Sequence, residues 1–186
     1  MSGASLKLKP KHQRALERFY FLEARLLDSR QYKQWLELVD PGIEYVMPSR
    51  TNLLVNNRER GQEGMIAVER ELEGPDSLGC PLREEGFIHL AARVDLAYKI
   101  ISWSENPPAR TRRLVGNFEL LQRDAQQWSV ISNFHRYFSR PGTGSFLYSG
   151  QRRDKLVKGE GGFKLCRREL IMDYADIELP TLALIL

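Results

Sequence analysis

The sequence predicts an α+β fold: N-terminal helices packed inside a strongly curved, mostly antiparallel sheet, a cone-shaped half-barrel. Three observations carry this expectation. Apolar residues recur at helical spacing ahead of Ser104 and alternate, as strands do, after Asn117. Between the halves, Pro107 and Pro108 block a helix from passing through and bias Asn106 toward extended geometry. Glycine-bearing connections then separate the alternating runs, the mark of an antiparallel meander, and helices followed by strands argue against a parallel doubly wound sheet.

Residues 1–10 read as a flexible tail closed by Pro10, and residues 11–186 as a single domain. Over residues 11–28, Leu16, Phe19, Tyr20, Leu26 and Leu27 share a helical face, and Glu23 falls in the middle of that stripe. A carboxylate there must find a partner or sit at the rim of a pocket. Ser29 is placed to cap a second helix, with Tyr32, Trp35, Leu36 and Val39 on one face. Asp40-Pro41-Gly42 should end it, before a short strand over residues 43–47. Residues 49–82 carry little signal beyond Met65, Ile66 and Val68, which suit a strand, and turn-like Gly74-Pro75-Asp76-Ser77. A third helix is expected over residues 83–101, burying Phe87, Leu90, Ala91, Val94, Tyr98 and Ile101. Four strands follow. In the first, Leu114, Gly116, Phe118 and Leu120 should share a side; in the second, Trp128, Val130, Phe134 and Phe138. Turns at Arg123-Asp124-Ala125-Gln126, Pro141-Gly142-Thr143-Gly144 and Gly159-Glu160-Gly161-Gly162 join them. The chain ends on an apolar run that includes Leu184 and Leu186, which should dock on its own sheet or on a neighbour.

The 186 residues, with 28% charged and 42% hydrophobic, suit a globular protein, and a net charge of +4 is mild for a nucleic-acid binder. Met1–Lys11 lacks the apolar core of a signal peptide, so a cytoplasmic location with free thiols at Cys80 and Cys166 is expected. The only histidines, His12, His89 and His135, stand in no ligand pattern, so no metal or cofactor is expected on this chain. Nucleotide-loop and nucleophile-elbow motifs are missing too. One enzymatic reading survives, an isomerase or dehydratase using an acid–base pair in the cone, with Glu23, Tyr45, His135 and Tyr137 to draw on. A small-molecule-binding module needs the same pocket without the base.

The arginines pose the remaining question. Arg110, Arg112 and Arg113 crowd into four positions, and Arg152–Arg153 and Arg167–Arg168 form pairs on later strands. Arg110 and Arg112, two apart in an extended run, should project together. Planar bidentate pairing with carboxylates of another subunit makes all seven subunit-interface candidates, along with Leu184 and Leu186. Intrachain pairing with Glu44, Asp154 or Glu169 is the plainer alternative.

Here the sequence resembles a known family. The run from Phe19 to Asp28, Tyr32-x-x-Trp35-Leu36-x-Leu38 and Tyr45-x-x-Pro48-x-Arg50-Thr51-Asn52 are similar to the opening of the small (β) subunit of Rieske-type aromatic-ring-hydroxylating dioxygenases. Glu105-Asn106-Pro107-Pro108-Ala109-Arg110-Thr111-Arg112-Arg113-Leu114-Val115 resembles that family's most distinctive motif. Arg152-Arg153-Asp154-x-Leu156 and Gly162-Phe163-Lys164-Leu165-x-Arg167-Arg168 resemble its closing hairpin, while residues 53–82 do not follow the pattern. The resemblance implies an NTF2-like, cystatin-like cone and a non-catalytic structural role. It also implies a large (α) partner subunit in an α3β3 hexamer, the α subunit carrying a Rieske [2Fe–2S] centre and mononuclear iron. Electrons would come from NADH through a reductase and often a ferredoxin, and the product would be a cis-dihydrodiol of an arene, a step in aromatic hydrocarbon catabolism.

Overall fold

The computed structural model describes residues 9–73, 80–99, 107–142 and 144–176. Its elements run α1 (Pro10–Asp28), α2 (Tyr32–Leu36), β1 (Val39–Met47), β2 (Ser49–Arg50), two 3-10 turns (Glu63–Ile66 and Val68–Glu71), β3 (Leu72–Glu73), β4 (Arg83–Glu85), α3 (Phe87–Ala97), β5 (Arg110–Arg123), β6 (Gln127–Ser139), β7 (Ser145–Gly159) and β8 (Gly162–Met172). Six strands form one sheet in the order β4-β1-β8-β7-β6-β5, with β2 and β3 paired separately. Within the large sheet only β1 and β8 are parallel. The α+β class, the helix-then-strand order and the four-stranded meander are those expected; the sheet is curled but not closed.

Pro10 opens α1 rather than closing a tail, because a first-turn residue has no N–H to lose; residues 1–8 lie outside the described residues. The α1 stripe buries Leu16, Phe19, Tyr20, Leu26 and Leu27 against Trp35 of α2, Leu90 and Val94 of α3, and Ile43, Tyr45, Trp128, Val130, Leu156 and Leu165 of the sheet. A second cluster, Met47, Phe134, Phe138, Tyr148, Leu170 and Met172, fills another part of the sheet's inner face. In β6 the inward positions run 128, 130, 132, 134, 136 and 138 without interruption, so Ser132 and Arg136 join the expected apolar set.

Several expectations are corrected. Ser29 does not cap α2, whose N-cap is Gln31; it ends α1. Arg30 then takes a left-handed conformation (φ 58°), its N–H donates to Leu27 O at 3.2 Å, and Gln31 N–H donates to Leu26 O at 2.8 Å. That pair of bonds satisfies the orphan carbonyls of the helix end. Asp40-Pro41-Gly42 does not stop a helix. It lies inside β1, where the register shifts between Val39 and Glu44 and Asp40 Oδ1 accepts the Gly42 N–H at 2.8 Å. Met65, Ile66 and Val68 lie in 3-10 turns, not a strand, and the third helix begins at Phe87 because Arg83–Glu85 pairs with β1. Ile101, residues 74–79 and residues 177–186, with Leu184 and Leu186, lie outside the described residues.

The most instructive correction is in β5. Its register shifts between Gly116 and Glu119, where Asn117 has φ 53°. One extra residue reverses which side each position faces. Arg113 is therefore buried and Leu114 70% exposed, while Leu120, an even-numbered position like Leu114, is buried. Leu114 and Gly116 do not share the inner face with Phe118 and Leu120.

Candidate functional site

The cone interior is occupied by an ion network. Arg168 of β8, fully buried, places its guanidinium between two carboxylates. Its Nε and Nη2 donate to Asp154 at 2.9 and 2.8 Å, and its Nη1 and Nη2 donate to Glu23 at 2.8 and 3.0 Å. Both contacts are bidentate, the geometry in which arginine binds carboxylates best. Glu23 also accepts from Trp35 Nε1 at 3.2 Å and from Arg152 Nη1 at 3.3 Å, and Asp154 accepts from the Tyr20 hydroxyl at 3.0 Å. Arg152 lies over the Phe134 ring, 5.0 Å from its centroid. Two carboxylates thus meet two guanidiniums, and the buried charge cancels.

The titration behaviour follows from this balance. Burial alone would raise the Glu23 carboxyl, but Arg168 and Arg152 outweigh it and hold the group down at about 2. Burial, helped by repulsion from Arg168, lowers Arg152 to about 10, so it stays charged at neutral pH. Burial and the Asp154 charge push the Tyr20 hydroxyl well above its usual range, so it acts only as a donor.

A second knot ties the arginine-rich run to the end of α1. Asp28 accepts from Arg113 Nη1 at 2.5 Å, from the Arg113 N–H at 2.8 Å and from Thr111 Oγ1 at 3.1 Å. The Arg30 guanidinium donates to Ala109 O at 3.2 and 2.8 Å, and the Tyr98 hydroxyl donates to Arg30 O at 2.8 Å. The start of β5 is thereby strapped to α1 and α3 immediately after Pro107 and Pro108.

The seven candidate arginines divide accordingly. Arg113, Arg152 and Arg168 are interior and spent on Asp28, Glu23 and Asp154 of their own chain, so the interface role expected for them is corrected: a side chain shut from the surface cannot reach a neighbour. Arg153 and Arg167 are half-buried and pair with Glu69 at 3.1 Å and Glu44 at 2.6 Å. Arg110 and Arg112 are exposed on one face of β5, projecting together as expected, and meet no carboxylate among the described residues. Arg112 stands opposite Tyr137, itself opposite Leu147; Leu114 stands opposite His135. Leu114, Tyr137 and Leu147 are all exposed, so this outer face combines cations with aromatic and aliphatic surface.

The acid–base set is not brought together. Glu23 and Tyr45 are buried inside, Glu23 saturated by arginines and Tyr45 lying under Arg83 at 5.1 Å, whereas His135 and Tyr137 are on the outer face. The histidines are equally dispersed: His12 lies against Trp128, His89 accepts the Gly86 N–H at the start of α3, and His135 is on β6. Among the described residues no group of three or more His, Cys, Asp or Glu is placed to hold a metal, so this donor set does not fit a Rieske cluster or a mononuclear iron. The sequence reading misses Asp28, Arg30 and the buried Arg136, which lies over the Phe138 and Tyr148 rings, and it places Tyr20 and Trp35 only on apolar stripes. Arg136 could have been found, since it shares the inward parity of Phe134 and Phe138.

Comparison with known proteins agrees with this architecture. A family model described as "Ring hydroxylating beta subunit" matches residues 83–178. The biphenyl 2,3-dioxygenase subunit beta of Rhodococcus jostii (strain RHA1) is 32% identical over 171 residues, covering 90% of this chain and 85% of that protein. The benzene 1,2-dioxygenase subunit beta of Pseudomonas putida is 29% identical, covering 89% and 83%. A solved structure of naphthalene 1,2-dioxygenase with indole bound in the active site superposes with a TM-score of 0.79 at 22% identity, covering 98% of this chain and 90% of the other. The NTF2-like cone is the fold shared with that solved structure, and a β subunit implies an α partner. This chain belongs to the ring-hydroxylating dioxygenase β-subunit family.

Proposed function

We propose that this chain is the non-catalytic structural subunit of the terminal oxygenase of an aromatic-ring-hydroxylating dioxygenase, a cytoplasmic enzyme that gives an arene cis-dihydrodiol. Its partner α subunits carry the Rieske [2Fe–2S] centre and the mononuclear iron, in an α3β3 hexamer fed from NADH through a reductase and ferredoxin. The observation that carries the reading is the filled cone. Where an enzyme of this shape needs a vacant, solvated base, Glu23 is buried and tied to Arg168, Arg152 and Trp35. Charges neutralised inside give a stiff body whose outward groups are positioned before any partner arrives. Arg110 and Arg112, with Leu114, Tyr137 and Leu147 around them, form the outer face we assign to subunit contact, as arginine and aromatic side chains suit such surfaces. Arg153 and Arg167 flank it less freely, and the apolar run ending in Leu184 and Leu186 is assigned to the same contacts.

Co-expression with the large subunit of the same oxygenase tests this. A stable complex should co-purify and hydroxylate its arene, while this chain alone shows neither stoichiometric iron nor turnover. Iron held by the isolated chain, or failure of any complex to form, would overturn the reading.

A further inference from the structure

A cleft of about 680 Å³ lies between the N-terminal half of α1 and the tips of the β5–β6 and β7–β8 hairpins, away from the ion network and from the outer face of β5. That volume is in the range that holds a small organic molecule. Its apolar wall is the half-buried Phe163, backed by the buried Trp128 at 4.7 Å between ring centroids and by the buried Phe19, which meets it edge-on at 6.3 Å. Its charged lining is one-sided, with Lys11, Arg18, Arg123 and Lys158 against the single carboxylate of Glu160. Arg123 and Lys158 lie over the Trp128 ring, 5.3 and 6.0 Å from its centroid, so two of these cations cover the indole and stand at the margin of the cleft. His12 adds no negative charge: burial first, and then Arg123, Lys11, Lys9 and Lys158, lower its basicity. Its Nδ1 lies 3.4 Å from Arg123 Nη1, as a neutral acceptor would.

We propose that this cleft binds a small planar aromatic carboxylate, its rings against Phe163 and its carboxylate beside Arg123 and Lys158. Rings on the wall supply apolar contact, and cations at its edge supply the counter-charge that a neutral arene cannot use. A dedicated site for inorganic anions would not need the aromatic wall, and one for neutral hydrocarbons would not tolerate four cations at its margin. The proposal is independent of the subunit assignment, because none of these residues belongs to the face assigned to subunit contact.

Isothermal titration of the full chain with 1-naphthoate tests it, with 1-naphthalenemethanol as neutral isostere and acetate as ring-free anion. Saturable one-site binding is expected for 1-naphthoate, about tenfold or more tighter than for either control. Raising salt from about 0.05 to 0.5 M should weaken it severalfold, since exposed charges are screened. The double variant Arg123→Gln/Lys158→Gln changes exposed side chains and should keep the thermal midpoint while losing about tenfold or more in affinity. The Trp128 indole resonance should shift on binding to the native chain. No saturable binding of 1-naphthoate, equal binding of the alcohol, or full affinity in the double variant would each overturn the proposal.

Discussion

Arg112 and Arg113 are neighbours in sequence and opposites in circumstance. Arg113 is buried and bound to Asp28 through side chain and backbone, whereas Arg112 is exposed opposite Tyr137. The same contrast recurs at Arg168, held by Glu23 and Asp154, and Arg167, held at the surface by Glu44. One position along a strand moves a guanidinium from one face of the sheet to the other. The inner members set stability, since removing one strands a charge in a low-dielectric interior; of the outer members, Arg167 is engaged by Glu44 and Arg112 meets no carboxylate among the described residues. That division can be broken deliberately.

The largest effect is expected from Arg168→Ala. It leaves the Glu23 and Asp154 carboxylates buried with only Arg152, Trp35 and Tyr20 as donors. Breaking such a cluster costs about 3–5 kcal/mol, to be read from denaturant unfolding of the isolated chain. Arg167→Ala, at an exposed pair, should stay within about 1 kcal/mol. Equal losses for the two would abolish the inner–outer distinction.

Acid gives the next largest effect. Glu23 is held at about 2 in the fold against its ordinary 4.5, so its ionised form contributes roughly 3 kcal/mol at neutral pH. For a depressed carboxyl this stabilisation is complete above pH 4.5 and is lost as pH falls toward 2. Unfolding free energy followed through that window should drop steeply in the native chain. It should drop less in Glu23→Gln, which has no proton to take up.

Gly150 supplies a smaller, steric probe of the same network. A Cβ built there lies 2.2 Å from Ile171 O and 3.0 Å from Phe134 Cε1. Phe134 is the ring beneath Arg152, so Gly150→Ala pushes on backbone and on that contact together. A loss of about 1–3 kcal/mol is expected by thermal or denaturant unfolding.

Much of this was legible because periodicity is written in the residues themselves. The inward stripe of β6, the α1 stripe and the demand of Glu23 for a partner follow from spacing and desolvation alone. So does the choice of Glu44, Asp154 and Glu169 as intrachain partners: Arg167 meets the first at 2.6 Å, Arg168 the second at 2.8 Å and Arg153 the third at 3.6 Å. What escaped depends on single backbone conformations that composition does not reveal. Asn117 takes φ 53° and inverts β5, and the Gly116-Asn117 pair was the available signal for a bulge. Arg30 adopts φ 58° with no glycine to announce it, held in place by Tyr98 and Ala109. β4 is three charged residues whose pairing comes from β1 and from Glu85, which binds Arg83 and Arg93.

The smallest effect on stability, and the largest expected on assembly, belongs to Arg112→Ala. Its side chain is exposed and bound to no carboxylate within the chain among the described residues, so unfolding should change by no more than about 0.5 kcal/mol. If this face meets the partner, the same substitution leaves a partner carboxylate unpaired in a closed interface, at a cost of roughly 2–5 kcal/mol. Sedimentation of the co-expressed complex at falling concentration should then show dissociation in the variant where the native complex holds. Arg113→Ala should do the reverse, lowering the melting temperature of the isolated chain because Asp28 loses its buried counter-ion. An intact complex with reduced turnover in Arg112→Ala would place that arginine near the chemistry instead. The pair of measurements separates the two because the strand gives each arginine one face only.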